Sequence, residues 1–159
     1  MNGIEDSGAT GGVTGGVPAD WVVHRREDRE IVGWIHPAEV AVDDDTAASG
    51  ADDDTWTAVD LLGREVVASV DWLAAEEALE DRGIAYLADP WMLEGVLARP
   101  VRVRLVEVTP ARIVVKEEDF GDATRGMPRH ELPWPIPSRL RPVRPDDPDA
   151  FTLGRPTTA

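Results

Sequence analysis

The sequence contains no cysteine and a single lysine, Lys116, beside 15 arginines. Without cysteine the chain cannot form disulfides, thiolate nucleophiles or zinc–thiolate sites. No apolar run approaches the ~20 residues that a membrane-spanning helix needs. The opening residues, MNGIEDSGATGG, also lack the basic and apolar segments of a secretory signal. These absences predict a cytoplasmic protein that has no membrane partner.

Basic charge is scarce as well, since 16 lysines and arginines stand against 31 aspartates and glutamates, and the formal net charge is −15 at pH 7. Residues 1–55 hold 13 of the acidic residues and only 3 of the basic ones. A field of this sign repels nucleic-acid phosphates and anionic lipid headgroups. The composition therefore disfavours nucleic acid as a partner.

The 159 residues, 42% of them apolar, suit one domain with a packed core. We predict a single α+β domain at residues 20–120, because the apolar residues concentrate there. Residues 1–19 are rich in glycine and predict a disordered tail. Residues 38–55 hold six aspartates among small residues and predict a disordered acidic loop inside the domain. Residues 121–159 hold eight of the 13 prolines, which predicts an irregular tail that is disordered beyond Leu140.

The most regular stretch, residues 56–83, predicts a strand, a tight turn at 62–64, a second strand and one amphipathic helix at 72–82. Asp71 can cap the first turn of this helix, and Gly83 suits the left-handed position that ends a helix. The residues expected on its apolar face are Trp72, Ala75 and Leu79.

Alternating apolar and polar residues predict further strands on both sides of this unit. Residues 21–36 form two such runs around a polar turn, and residues 101–108 and 112–116 form two more. Residues 85–99 are compatible with a turn or short helix followed by a strand. The predicted fold class is α+β, with a twisted antiparallel sheet or small open β-barrel of about six strands and one packed helix.

Four basic residues are predicted on one face of the last two strands, and we call them the arginine face. They are Arg102, Arg104, Arg112 and Lys116. This face could hold a phosphate, a nucleic-acid backbone or an acidic partner. The alternative, which we favour, is a solvated outer face whose cations pair with Glu107, Glu117 or the acidic helix.

Two tryptophans, Trp91 and Trp134, stand beside prolines in stretches without clear periodicity. Aromatic side chains are enriched at protein interfaces, so both are candidates for a partner-binding surface. The alternative is that the apolar segment 132–137 packs across the body of the domain as a strap.

No catalytic residue, metal site or cofactor is predicted from the motifs. The histidines (His24, His36 and His130) have no metal-ligand spacing. The aspartate clusters lack the glycine and glutamate positions of a calcium-binding loop. Ser69 lies outside any G-x-S-x-G motif.

The segments WVVHRRED, IVGWI, AVDLLGREV, DWLAAEEALE and RIVVKEEDFG resemble small acidic actinobacterial proteins of unknown function, over roughly residues 21–121. The resemblance implies a fold and no activity. Our first functional hypothesis is a non-enzymatic protein-binding or adaptor domain. The alternatives are an enzyme or small-ligand-binding protein whose site is assembled only in three dimensions, and nucleic-acid binding through the arginine face, which the charge disfavours.

Overall fold

A computed structural model describes residues 16–39, 54–122, 124 and 126–147. The described residues form nine strands, one α-helix and one 3₁₀ helix. In chain order these are β1 (Val22–Arg25), β2 (Ile31–Pro37), β3 (Trp56–Asp60), β4 (Glu65–Val70), α1 (Trp72–Arg82), the 3₁₀ helix (Ala85–Ala88), β5 (Pro90–Leu93), β6 (Val101–Thr109), β7 (Arg112–Glu117), β8 (Arg129–Leu132) and β9 (Leu140–Pro142).

The first sheet is antiparallel, has the strand order β1-β2-β3-β4 and carries α1 on one face. The buried residues between sheet and helix are Val32, Ile35, Ala58, Ala75 and Leu79. Gly33 on β2 allows the helix to approach, because a Cβ atom there would lie 2.8 Å from a methyl group of Leu79 and would also collide with the Val59 carbonyl oxygen.

The predicted helix is confirmed, with its start and its end. The side chain of Asp71 accepts a hydrogen bond from the Ala74 N–H at 2.9 Å, which satisfies one of the free amides of the first turn. Gly83 has a φ of 56° and its N–H donates to the Leu79 carbonyl oxygen at 3.0 Å. Both local signals therefore act as the sequence indicates.

The second sheet is also antiparallel, with the strand order β8-β7-β6-β5-β9. Its core is formed by buried side chains from all five strands and by one residue of the turn between β3 and β4. These residues are Trp91, Leu93, Val103, Ile113, Val115, Leu132, Leu140 and, from the turn, Leu62. The two sheets are thus joined through the β3–β4 hairpin.

The α+β prediction is confirmed, but the strands form two sheets rather than one sheet or a barrel of about six strands. The structure also differs from the predicted irregular tail at 121–159, because β8 and β9 lie within it. Leu132 and Leu140 are buried in the second core, which holds their strands in place. Pro142 is accommodated because it ends β9, an edge strand that needs no further hydrogen-bond donor there.

The chain beyond Leu140 also has a described structure as far as Asp147, contrary to the predicted disorder. Arg141 pairs with the Asp147 carboxylate at 2.7 Å on one side and with Glu94 at 2.7 Å on the other. These ion pairs hold the segment against β5. The other predictions of disorder, at 1–19 and 38–55, concern segments of which residues 1–15 and 40–53 lie outside the described residues, as do residues 148–159.

Candidate functional site

Residues 132–137, which we call the strap, connect β8 to β9 and cross the first sheet on the face opposite α1. The indole N–H of Trp134 donates to the Leu61 carbonyl oxygen at 3.0 Å, and the Ile136 N–H donates to the Leu62 carbonyl oxygen at 2.8 Å. Pro135 lies directly over Gly63, where there is no room for a side chain. The predicted packing of this segment across the body is therefore observed.

Aromatic rings gather where the strap meets the first sheet. Trp21 stacks on His36 with ring centroids 4.3 Å apart. The two residues are opposite each other because β1 and β2 are antiparallel and Val22 pairs with Ile35. Trp134 of the strap contacts Trp21 and Trp34 edge-on, at centroid distances of 6.2 and 5.6 Å. The strap therefore covers part of an aromatic surface and leaves the Trp21–His36 stack at its border.

Beside this stack lies an open groove of about 480 Å³, which we call the Trp21 groove. Its lining residues are Trp21, His36, Ala38, Glu39, Thr57, Val59, Gly63, Glu65, Ala68 and Ser69. Side chains alternate along β3, so Ala58 faces the helix while Thr57 and Val59 form the floor of the groove. The groove is the part of this sheet face that the strap leaves uncovered.

Thr57 on the floor of the groove is 5% exposed, and its hydroxyl has no hydrogen-bond partner within the part of the chain that the structure describes. The floor therefore offers one hydroxyl beside the apolar surface of Val59.

The carboxylates at the rim are those of Glu39, two residues beyond the end of β2, and Glu65, at the start of β4. Both side chains are exposed, and among the described residues neither pairs with a cation. His36 is already engaged, because its Nδ1 donates to the Pro37 carbonyl oxygen at 2.7 Å, and this bond helps fix the ring against Trp21. The rim is therefore acidic and open to solvent.

The structure places the arginine face on the outside of the second sheet, and each of its cations has a carboxylate partner. Arg102 and Arg104 both pair with Glu118, at 2.6 and 2.9 Å. Arg112 pairs with Glu107 at 2.9 Å and also contacts Glu131 at 3.1 Å, and Lys116 pairs with Asp119 at 3.3 Å.

These pairs are reflected in the acid–base behaviour of the carboxylates. The hydrogen bond from Arg112 lowers the pKa of Glu107. The Gly121 N–H and then Lys116 lower the pKa of Asp119. The positive charge on this face is thus neutralised within the chain, which argues against the phosphate-binding interpretation.

Trp91 does not contribute to an exposed surface, contrary to the prediction that it marks a partner-binding site. Its side chain is 2% exposed and packs in the second core, because Pro90 begins a strand and Trp91 pairs with Val103. Trp134 is half-buried in the strap and reaches the aromatic surface described above. Of the six residues singled out from sequence, Trp134 therefore lies nearest the groove.

A buried carboxylate that the sequence did not single out supports the turn under the strap. Asp60 is 0% exposed and accepts hydrogen bonds from the N–H groups of Leu62 and Arg64, both at 3.0 Å. The Arg64 guanidinium donates to it at 2.8 Å, and Arg82 lies 3.5 Å away. The sequence does contain a signal for this role, because an aspartate three residues before a turn glycine can accept hydrogen bonds from the N–H groups of the turn.

Tyr86 shares this buried environment. Burial, and then the charge of Asp60, raise the pKa of Tyr86 to about 12. The neutral phenol oxygen accepts a hydrogen bond from the Leu61 N–H at 3.1 Å, which fixes the backbone that also receives Trp134. This cluster shapes the floor under the strap.

The structure supports no metal centre among its described residues, since no group of three histidine, aspartate or glutamate side chains there could hold an ion. Within the same residues no helix is long and apolar enough to cross a membrane. Comparison with protein-family models, with curated proteins and with solved structures finds no match.

Proposed function

We propose that the chain is a non-enzymatic protein-binding domain that takes an extended, proline-containing segment of a partner protein in the Trp21 groove. The observation that carries this proposal is the strap. An extended segment with prolines already lies on the same sheet face, where aromatic rings contact it and backbone carbonyls of Leu61 and Leu62 accept its N–H groups. The groove continues this surface beside the strap.

Proline-rich segments suit such a surface for a physical reason. They are extended before binding, so they lose little conformational entropy when they settle on aromatic side chains. The Trp21–His36 stack presents a flat, rigid wall of this kind. An open groove also favours a segment that crosses it over a small molecule, since small ligands are usually enclosed on most sides.

Fluorescence anisotropy with labelled 10-residue peptides, proline-containing and proline-free, tests the proposal. We expect the proline-containing peptides to bind and Trp21→Ala to weaken them about 30-fold, because truncation of a central aromatic typically costs about 2 kcal/mol at an interface. Phe120→Ala is the matched control, since Phe120 is an exposed aromatic residue that follows β7 and is absent from the groove.

Two results would contradict the proposal. One is equal binding of proline-free and proline-containing peptides. The other is a Trp21→Ala protein that binds as tightly as the Phe120→Ala control. Thermal unfolding of each variant, followed by circular dichroism, ensures that a loss of binding is not a loss of fold.

A further inference from the structure

The two glutamates of the Trp21 groove stand at its diagonally opposite ends. Glu65 pairs with Val59 near one end of β3. Glu39 follows β2 two residues beyond Pro37, which pairs with Trp56 near the other end. The Ala38 N–H donates to the Thr55 carbonyl oxygen at 2.8 Å, so the pairing of β2 with β3 continues one residue past Pro37, and Glu39 lies just beyond it at the edge of the groove.

Strand geometry converts these positions into a distance. The positions opposite Glu65 and opposite Glu39 are five residues apart along the β3 direction, which corresponds to about 16 Å at ~3.3 Å per residue. Glu39 and Glu65 lie on the strands flanking β3, and two strand spacings add about 10 Å across the sheet. The two Cα atoms are therefore about 19 Å apart.

We infer that the partner segment carries two basic residues about six positions apart, one for each glutamate, with its proline-containing part on the Trp21–His36 wall between them. A polyproline-type chain rises ~3.1 Å per residue, so six residues cover about 19 Å. It also has three residues per turn, so side chains six positions apart point in the same direction. This inference rests on the proposed function and specifies the ligand of the same groove.

Charge complementarity selects this occupant over the others. Glu39 and Glu65 have no cationic partner among the described residues, whereas the cations of the arginine face are each paired with a carboxylate. The neighbouring segment 40–53 holds five aspartates and would be repelled by the rim. A second copy of a chain with net charge −15 is disfavoured for the same reason.

The floor of the groove supplies a further polar group for a ligand. Thr57 lines the groove, and its hydroxyl has no partner within the described residues. An extended peptide exposes backbone N–H and C=O groups along its length, and either can pair with a hydroxyl. A bound segment would thus give the Thr57 hydroxyl a hydrogen-bond partner.

The test uses synthetic peptides with one common proline-containing sequence and two arginines placed three, six or nine positions apart, all of which keep the arginines on one side. An arginine-free peptide completes the set. We expect the six-position peptide to bind about tenfold more tightly than the other arginine peptides, and this preference to shrink at high salt.

Glu39→Gln and Glu65→Gln should each weaken the six-position peptide about threefold to fivefold, and neither should affect the arginine-free peptide. Glu77→Gln is the matched control, because Glu77 is an exposed glutamate on α1, away from the groove. Thr57→Val should weaken every bound peptide and leave the melting temperature nearly unchanged, since the hydroxyl has no partner within the described residues.

Equal affinity at all three spacings, or an arginine-free peptide that binds as tightly as the six-position peptide, would overturn the inference and leave the proposed function standing. Failure of every proline-containing peptide to bind would overturn both. A dimer in sedimentation velocity that dissociates on Trp21→Ala would identify a second copy as the occupant and would also overturn the inference.

Discussion

Substitution of Gly63 by alanine is expected to separate the strap from the hairpin beneath it. Gly63 has a φ of 79°, and a Cβ atom there would lie 2.5 Å from Cβ of Pro135 and 3.0 Å from its Cα. These Pro135 atoms are part of the backbone or attached directly to it, so they cannot rotate out of the way as the end of a flexible side chain can. The strap must therefore move away if Gly63 acquires a methyl group.

Gly95 provides the matched control, because it has the same φ of 79° and no atom within 4 Å of its hypothetical Cβ. Gly95→Ala should therefore cost only the conformational strain, about 1 kcal/mol. Gly63→Ala carries that strain and the collision, which adds about 1–3 kcal/mol for an overpacked site. The expected total for Gly63→Ala is about 2–4 kcal/mol.

Equilibrium unfolding in urea measures both free energies under one set of conditions. The hydrogen bonds of Trp134 and Ile136 to the hairpin should weaken in Gly63→Ala and persist in Gly95→Ala, which amide hydrogen exchange at Ile136 can detect. If the two variants lose the same stability, the close contact between strap and turn does not exist in solution and the reasoning fails.

Two further predictions concern charged pairs. Asp60→Asn should destabilise the fold by about 3 kcal/mol or more in urea unfolding, because Arg64 and Arg82 would lose the only carboxylate that they contact among the described residues. Asp81→Asn, on the exposed side of α1, should change the stability little, and equal effects of the two substitutions would refute the role of Asp60. Hydrogen bonding from Arg141 lowers the pKa of Asp147 from 3.8 to about 2. A carboxylate with a depressed folded-state pKa contributes stability above about pH 4 and loses that contribution as the pH falls toward 2. The calorimetric Tm difference between the wild-type protein and Asp147→Asn should therefore be largest near neutral pH and shrink toward pH 2, and a constant difference would count against the pair.

Local signals in the sequence were sufficient for the middle of the chain. The helix at 72–82 begins after a capping aspartate and ends before a glycine, and each signal acts within a few residues. The hairpin at 21–36 and the strands at 101–109 and 112–117 follow their alternation of apolar and polar residues. Where neighbours in sequence decide the structure, the sequence predicted it.

Long-range contacts decided the parts that the sequence did not predict. Two buried leucines, Leu132 and Leu140, hold short strands in a proline-rich segment whose local propensity disfavours sheet. Trp91 is buried because its strand lies between β6 and β9, an arrangement that no local pattern specifies. The high proline content correctly predicted irregular chain between β8 and β9, but it also led to the wrong prediction that the segment contains no strands.

The candidate site was largely hidden for the same reason. Trp134 was identified from sequence, but its neighbours Trp21 and Trp34 come from a hairpin about 100 residues away in the chain. The alternation of apolar and basic residues in β6 and β7 was sufficient to predict the arginine face. Which carboxylates pair with it depends on the register between the strands, which the sequence does not specify. A groove between a hairpin and a distant strap has no signature in linear spacing.

The position of Leu62 has a consequence for how the chain holds together. This residue belongs to the hairpin of the first sheet, yet its side chain lies in the core of the second. If the polypeptide were severed after α1, the first piece would expose Leu62 to water and the second would contain a void of leucine size, which costs about 2–5 kcal/mol. Neither piece would reach its native stability alone, so we expect the two sheets to unfold as one cooperative unit.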